Sequence, residues 1–350
     1  MNRSIFICPV CGSPLSREAK SFICAGSHTY DISKEGYVNL LLANQKQSRE
    51  PGDSKEMLDA RKFFLNKGYY KPLARAVASA IIKYRKRSFI ASLHGKTTYC
   101  QRRALTGFFN EHFSTPADSV QVRPQVRTIP GSGSIPNTEP VPVTEAVPFT
   151  EPVEVPDFTI LDAGCGEGYY TDYISKNRYV NNASVIYGID ISRDGIKSAA
   201  KRSSKVNFAV AGIYNLPVLD NSVDLILNIF APFNEAEFGR VLKNKGIIIS
   251  VTPGAHHLYE LKKNLYDDVY LNDEKSDLSD KFHITETVRV KYDLSIHNNE
   301  DVTNLLKMTP YYHKSSPERI ESFLSTVHEL KTTADFIVRI ISKNILQNIH

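Results

Sequence analysis

Residues 158–253 carry the pattern that most constrains the fold. Five near-continuous apolar segments recur there: FTILDAG (158–164), SVIYGIDIS (184–192), VNFAVAG (206–212), SVDLILNIF (222–230) and GIIISVTP (246–253). Strands that read as unbroken apolar runs are buried on both faces, as in a parallel sheet. The stretches between them, TDYISKN, RDGIKSAAKRS and NEAEFGRVL, have helical spacing. Alternating β and α segments predict a doubly wound α/β sheet. The C-terminal segments HITETVRVKYDLSI, PERIESFLSTVHEL and ADFIVRIIS are expected to add final antiparallel strands and a helix.

The first strand runs into Asp162-Ala163-Gly164-Cys165-Gly166-Glu167-Gly168, with a helix expected from Tyr169. Glycines at this turn let the backbone approach a ligand at the carboxyl end of the strands. The spacing is neither G-x-G-x-x-G nor that of a P-loop. Asp190 closes the second strand, where a carboxylate accepts hydrogen bonds from both ribose hydroxyls. A tight βα turn with no ligand is the alternative for the glycines alone. The pair resembles class I S-adenosylmethionine methyltransferases, in which the loop holds the methionine end and the second-strand acid the ribose. Cys165 reads as a small loop filler, since no positioned base accompanies it.

Five cysteines, an odd number with three clustered near the start, argue against a disulfide framework. Cys8-x2-Cys11 followed by Cys24-x3-His28 suits a tetrahedral Zn²⁺ in two knuckles, with Gly12 and Gly26 at the turns. Four protein ligands leave no open position, so the ion is expected to be structural. Ser21–Ile23 and Thr29–Asp31 are expected to form strand edges beside it.

The net charge of +5 is uneven. Residues 1–95 hold 16 Lys/Arg against 7 Asp/Glu, which suits a partner bearing phosphates or a solvated basic surface. With 41% apolar residues a sizeable core can form. No run of 18 apolar residues suggests a membrane span, and MNRSIFICPVCG lacks the features of a signal peptide, so a cytoplasmic protein is expected.

Four regions result: a zinc-binding module (1–45), a connecting helical segment (46–85), an inserted low-complexity linker (86–157) and the methyltransferase domain (158–350). The linker begins basic, passes through Gly131-Ser132-Gly133-Ser134 and ends in TEPVPV, TEAVPF, TEPVEV. Proline at that density joins neither a helix nor a central strand. The repeat is expected to be extended and solvated, with a specific binding arm as the alternative.

Taken with the zinc knuckles, the segments DISKEGYVNLL (31–41), SREPGDSKEML (48–58), GYYKPL (68–73), LDAGCGEGYYT (161–171) and TPGAHHLYELK (252–262) resemble the RlmA family, the 23S rRNA guanine-N1 methyltransferases. The resemblance covers nearly the whole chain outside 86–157. It implies a Rossmann-like class I methyltransferase sheet with a small N-terminal zinc ribbon that engages RNA, which makes 1–45 a zinc-binding RNA-recognition module. It further implies S-adenosylmethionine and structural Zn²⁺ as cofactors, and a homodimer acting on a guanine in a hairpin of domain II of large-subunit rRNA. By position, Cys8, Cys11, Cys24 and His28 match the zinc ligands. Asp162, Gly164, Gly166, Glu167, Gly168 and Asp190 match the cofactor loop and ribose acid, and Tyr70 and His257 match cofactor contacts. The family joins the helix after GYYKPL to the first strand by a short linker, which is lengthened here; closure entropy grows only with the logarithm of loop length.

Guanine N1 carries a proton at neutral pH, so a base or acceptor is needed. Asp53 in Pro51-Gly52-Asp53 is the candidate, with a plain turn as the alternative. Phe230 or Phe233 is a candidate stacking platform for an extruded base, or a core aromatic. Lys34, Lys46, Arg49 and Arg61 are candidates for phosphate contact, with a solvated surface charge as the alternative for each. Two rival functions stand beside this one: a small-molecule methyltransferase, and an inactive zinc-dependent RNA-binding remnant.

Overall fold

The computed structural model describes residues 4–45, 52–92, 158–181 and 184–344. The low-complexity expectation for 93–157 and the candidates Lys46 and Arg49 lie outside the described residues.

The five apolar segments form the strands β5 (Phe158–Ala163), β6 (Ser184–Asp190), β7 (Asn207–Val210), β8 (Val223–Ile229) and β9 (Leu242–Pro253). They pair in parallel in the order β9-β8-β5-β6-β7. Every residue of β5 is buried, as its unbroken apolar run requires. Two long strands, β10 (Phe282–Ile296) and β11 (Leu330–Lys343), close one side antiparallel, with β11 beside β9. β10 lies at the sheet edge, and its burial alternates accordingly.

The three segments of helical spacing are α3 (Tyr169–Lys176), α5 (Arg193–Arg202) and α6 (Glu235–Val241), with the single turn α4 (Arg178–Asn181) after α3. Ser192 caps α5 by accepting the Gly195 amide, and Asn234 caps α6 by accepting that of Glu237. α7 (Tyr259–Lys263) follows β9. Three further helices, α8 (Asn299–Lys307), α9 (Pro310–Lys314) and α10 (Pro317–Thr326), intervene between β10 and β11.

At the N-terminus β1 (Leu15–Glu18), β2 (Ser21–Cys24) and β3 (Thr29–Asp31) form a small antiparallel sheet around the Cys/His cluster. It does not stand apart. The next strand, β4 (Tyr37–Asn39), pairs in parallel with β7 and becomes the eighth strand of the main sheet. Phe6 is fully buried, with its ring edge-on to Tyr187 of β6, and Ile7 donates its amide to Pro217. The core of the ribbon is thus continuous with one face of the sheet.

Two helices follow, α1 (Lys55–Asn66) and α2 (Lys71–Ser92). Ser54 caps α1 by accepting the Met57 amide. α2 continues to Ser92, so the boundary drawn at residue 85 falls inside a helix. Its buried residues Leu73, Val77 and Ile81 recur every four positions, and that apolar stripe ties α2 into the core. Among the described residues no helix is long and apolar enough to cross a membrane.

Candidate functional site

The four predicted zinc ligands converge. Cys8 Sγ, Cys11 Sγ, Cys24 Sγ and a His28 ring nitrogen all lie within 4.8 Å of one another. Cys11 and Cys24 sulfurs are 3.6 Å apart, and His28 Nδ1 is 3.3 Å from Cys24 Sγ and 3.6 Å from Cys8 Sγ. A tetrahedral ion with Zn–S bonds of about 2.3 Å places its sulfurs about 3.8 Å apart, so the donor set and spacing fit Zn²⁺. Gly12, at φ 71°, turns the first knuckle, and its amide donates to the Cys8 carbonyl. The Tyr30 hydroxyl lies 3.0 Å from Cys8 Sγ, placed to donate to a thiolate.

The second site is a cavity of about 560 Å³ at the carboxyl ends of β5, β6, β7 and β8. The glycine loop forms its floor. Gly164 and Cys165 donate their amides to the Ile189 carbonyl at 2.8 and 3.0 Å, which anchors the loop to β6. All three glycines have positive φ: 88° at Gly164, 55° at Gly166 and 83° at Gly168. Their surroundings differ. A Cβ on Gly164 would meet Ala231 Cβ at 2.4 Å, and one on Gly168 would meet Ala199 Cβ at 2.7 Å. A Cβ on Gly166 would meet only Arg61 Nη1, at 3.5 Å, so of the two loop glycines that line the cavity, Gly164 and Gly166, the second is the one with open space at its Cβ position.

The carboxylates around the loop have distinct settings. Asp190 accepts the Gly166 amide on Oδ2 and the Ser192 amide on Oδ1, both at 2.8 Å; burial raises its pKa, and these two donors oppose the rise. Asp162 is fully buried and accepts the Thr171 hydroxyl at 2.5 Å on Oδ2, while Oδ1 has no partner among the described residues. Burial pushes Asp162 up to about 7, against the Thr171 hydrogen bond. Glu167 lines the cavity, with its carboxylate ion-paired to Arg202 of α5. Burial still raises its pKa. An orphaned buried acceptor at Asp162 fits a ligand that brings a hydrogen-bonding cation, such as the α-ammonium of an amino acid. Asp190 retains lone pairs for a diol, and Ile191 and Ile213 supply apolar wall beside it.

Tyr70 and His257 meet across 187 positions, the Tyr70 hydroxyl lying 3.4 Å from His257 Nε2. The Asp335 amide donates to His257 Nδ1 at 3.2 Å. A ring that accepts on Nδ1 carries its proton on Nε2, so His257 donates to the Tyr70 oxygen and leaves the phenol proton free. Burial holds this histidine neutral, lowering its pKa to about 3.

Asp53 lies on the cavity wall with its Oδ2 accepting from Arg61 Nη1. Arg61, together with Met57 and Leu65, each four positions away on α1, lines the cavity. Lys34 is exposed. Phe230 lines the cavity mouth, 45% exposed and at a positive φ of 55°, a conformation a bulky residue rarely adopts. Phe233 instead packs edge-on against Phe238, with ring centroids 5.1 Å apart, half-buried at the margin of the core. Met308 and Thr309, which join α8 to α9, and Pro310 and Tyr311, which open α9, complete the wall. Sequence reading missed them because nothing local marks a segment that folding brings from 140 residues downstream of the loop.

Two family descriptions match the chain: "RlmA, N-terminal" over residues 6–49 and "Methyltransferase domain" over residues 154–307. The Bacillus subtilis (strain 168) protein named "Putative 23S rRNA (guanine-N(1)-)-methyltransferase YxjB" is 30% identical over 341 residues, covering 95% of each chain. A Micromonospora griseorubida protein of the same description is 29% identical, covering 74% of this chain and 68% of its own. The 23S rRNA (guanine(748)-N(1))-methyltransferase of Streptomyces fradiae is 25% identical, covering 73% and 65%.

Proposed function

The chain belongs to the RlmA family of 23S rRNA (guanine-N1)-methyltransferases, and from that premise we propose that it transfers a methyl group from S-adenosylmethionine to N1 of a guanine in a 23S rRNA hairpin. The observation that carries this is the make-up of one cavity. The glycine loop and Asp190 form one side, and the residues that follow the zinc ribbon, from Gly52 to Tyr70, form the other. The segment that joins the zinc ribbon to the cofactor fold thereby lines the reaction space.

S-adenosylmethionine supplies an electrophilic methyl group on a sulfonium. The residues of the chain provide alignment, exclusion of water and removal of the N1 proton. Asp190 accepts the ribose hydroxyls, and Gly166 lets the backbone come close. Asp162 offers Oδ1 to the ammonium of the methionine end, while Glu167, with Arg202, fixes the loop from behind. Gly164 and Gly168 allow the loop to pack on Ala231 and Ala199. Tyr70, oriented by His257, offers its phenol proton to the cofactor. Asp53 keeps Oδ1 without a partner among the described residues and accepts the guanine N1–H there. Phe230 stacks on the extruded base. Cys8, Cys11, Cys24 and His28 hold a structural Zn²⁺ that shapes the RNA-facing ribbon, from which Lys34 reaches phosphate. Homodimeric assembly and a cytoplasmic location complete this reading.

Mass mapping of N1-methylguanosine in 23S rRNA from cells with and without the gene tests it. One guanine loses its methyl group in the deletion strain and regains it with purified enzyme. An identical methylation map in both strains would defeat the proposal.

A further inference from the structure

We infer that Arg61 is the anchor for the carboxylate of the cofactor's methionine end, a contact that rests on the S-adenosylmethionine reading above. The argument starts from charge. The cavity is lined by Asp53, Asp162, Glu167 and Asp190, and Arg61 is the one Lys or Arg among its described lining residues. His257 is held neutral. The carboxylate of a ligand that also carries an ammonium needs strong donors in so acidic a space, and a guanidinium is the strongest the cavity offers.

The geometry puts Arg61 where the contact is needed. It projects from the face of α1 that also presents Met57 and Leu65 to the cavity. Its Nη1 lies 3.5 Å from where a Cβ on Gly166 would stand, so the guanidinium hangs over the middle of the glycine loop. Its charge reaches the loop carboxylates, opposing the burial-driven rise at both Glu167 and Asp190.

The guanidinium also has capacity to spare. A guanidinium carries five N–H donors in a fixed fork. Among the described residues one is engaged, by Asp53. The rest are available to a second carboxylate, for which the fork geometry is well matched. Asp53 then acts on one edge of Arg61 as a buttress, holding the free edge towards the loop. The side chain is 28% exposed, shielded enough for the charge to count and open enough for a ligand to reach it.

Calorimetric titration with two ligands tests the assignment. S-adenosylhomocysteine carries the amino-acid carboxylate, whereas 5′-methylthioadenosine keeps the thioether nucleoside and lacks the amino-acid end. Arg61→Gln should weaken S-adenosylhomocysteine at least tenfold and leave 5′-methylthioadenosine within twofold of the parent. Arg61→Lys, which keeps the charge but not the fork, should fall between. Equal weakening of both ligands, or none for S-adenosylhomocysteine, would overturn the inference. So would a loss confined to affinity for an rRNA hairpin, which would return Arg61 to phosphate binding. Failure of the parent protein to bind either ligand would instead strike the cofactor reading. A thermal melt of each variant separates misfolding from lost contact, and Arg61→Lys remains interpretable if Arg61→Gln does not fold.

Discussion

The carboxylate of Asp190 accepts the Gly166 amide at 2.8 Å, so the end of β6 holds the middle of the glycine loop in place. One side chain thereby orders the floor of the cavity and presents lone pairs to a ribose. Replacing Asp190 by Ala removes two charge-assisted acceptor bonds, each worth about 1.5–3 kcal/mol. S-adenosylhomocysteine affinity is expected to fall by more than tenfold, together with a lower Tm. Asp190→Asn keeps an acceptor oxygen and should recover part of the Tm but less of the affinity. Calorimetry and thermal melts on the same samples check this, and unchanged affinity in Asp190→Ala would refute the assignment.

The three loop glycines should separate by substitution with alanine. Gly164→Ala and Gly168→Ala force a Cβ to within 2.4 Å of Ala231 Cβ and 2.7 Å of Ala199 Cβ, at positive φ in both cases. Overpacking of this kind costs about 1–3 kcal/mol, beyond the backbone strain. Gly166→Ala carries strain of about 1 kcal/mol but meets no packed wall. It should melt close to the parent yet bind the cofactor poorly. Three variants with the same loss of Tm would contradict this division.

Zinc should stabilise more than the ribbon. Phe6 is buried against both Phe22 of the small sheet and Tyr187 of β6, and β4 extends the main sheet. Loss of the ion removes the closure of the ribbon and exposes this shared core. One zinc per chain is expected by elemental analysis. Excess chelator should lower the Tm of the whole protein in a single transition rather than release a separate small step. A Tm indifferent to chelator after the metal has been removed would count against the coupling.

Asp162 predicts a proton linkage. Its pKa is raised by burial to about 7, above an unfolded value of about 3.9. The native state therefore holds more protons between about pH 4 and 7, and its stability declines as pH rises through that window. A ligand ammonium at Oδ1 favours the carboxylate, so binding at pH 6 should release protons. Titration of S-adenosylhomocysteine in two buffers of different ionisation heat reads this directly. Asp162→Asn should abolish the release, and the same release in that variant would assign it elsewhere.

What could be read in advance depended on how local each signal is. The glycine loop, Asp190 and the four zinc ligands are each contiguous motifs whose spacing carries their chemistry, and the structure brings each set together. Strand β4 has no signal in sequence because a three-residue strand has no periodicity, and its partners in β7, Phe208 opposite Tyr37 for one, lie far along the chain. In sequence Arg61 offers only a charge, suited to phosphate or to solvent. Only the packing of α1 over the loop turns that face inward. Met308 to Tyr311 gave no signal, since their role depends on how α8 packs against α1.

Phe230 and Phe233 looked equivalent in sequence and should behave in opposite ways. Phe230 is 45% exposed at the cavity mouth, its ring flanked by Tyr170 at 6.4 Å and Phe336 at 5.7 Å. It holds a positive φ at the end of β8, a strained position that costs about 1–3 kcal/mol and persists only where the surroundings impose it. Base stacking on an aromatic ring is worth about 1–3 kcal/mol. Phe230→Ala should therefore lower kcat/KM for an rRNA hairpin by roughly tenfold to a hundredfold while leaving S-adenosylhomocysteine affinity within about threefold. Its Tm should hardly drop, because little buried area is lost. Phe233 is half-buried against Phe238 and Phe282, so Phe233→Ala should cost about 1–2 kcal/mol in stability. Its kcat/KM at low temperature should stay near that of the parent. If Phe230→Ala methylates the hairpin as well as the parent does, the target base is held elsewhere, and the exposed ring needs another explanation.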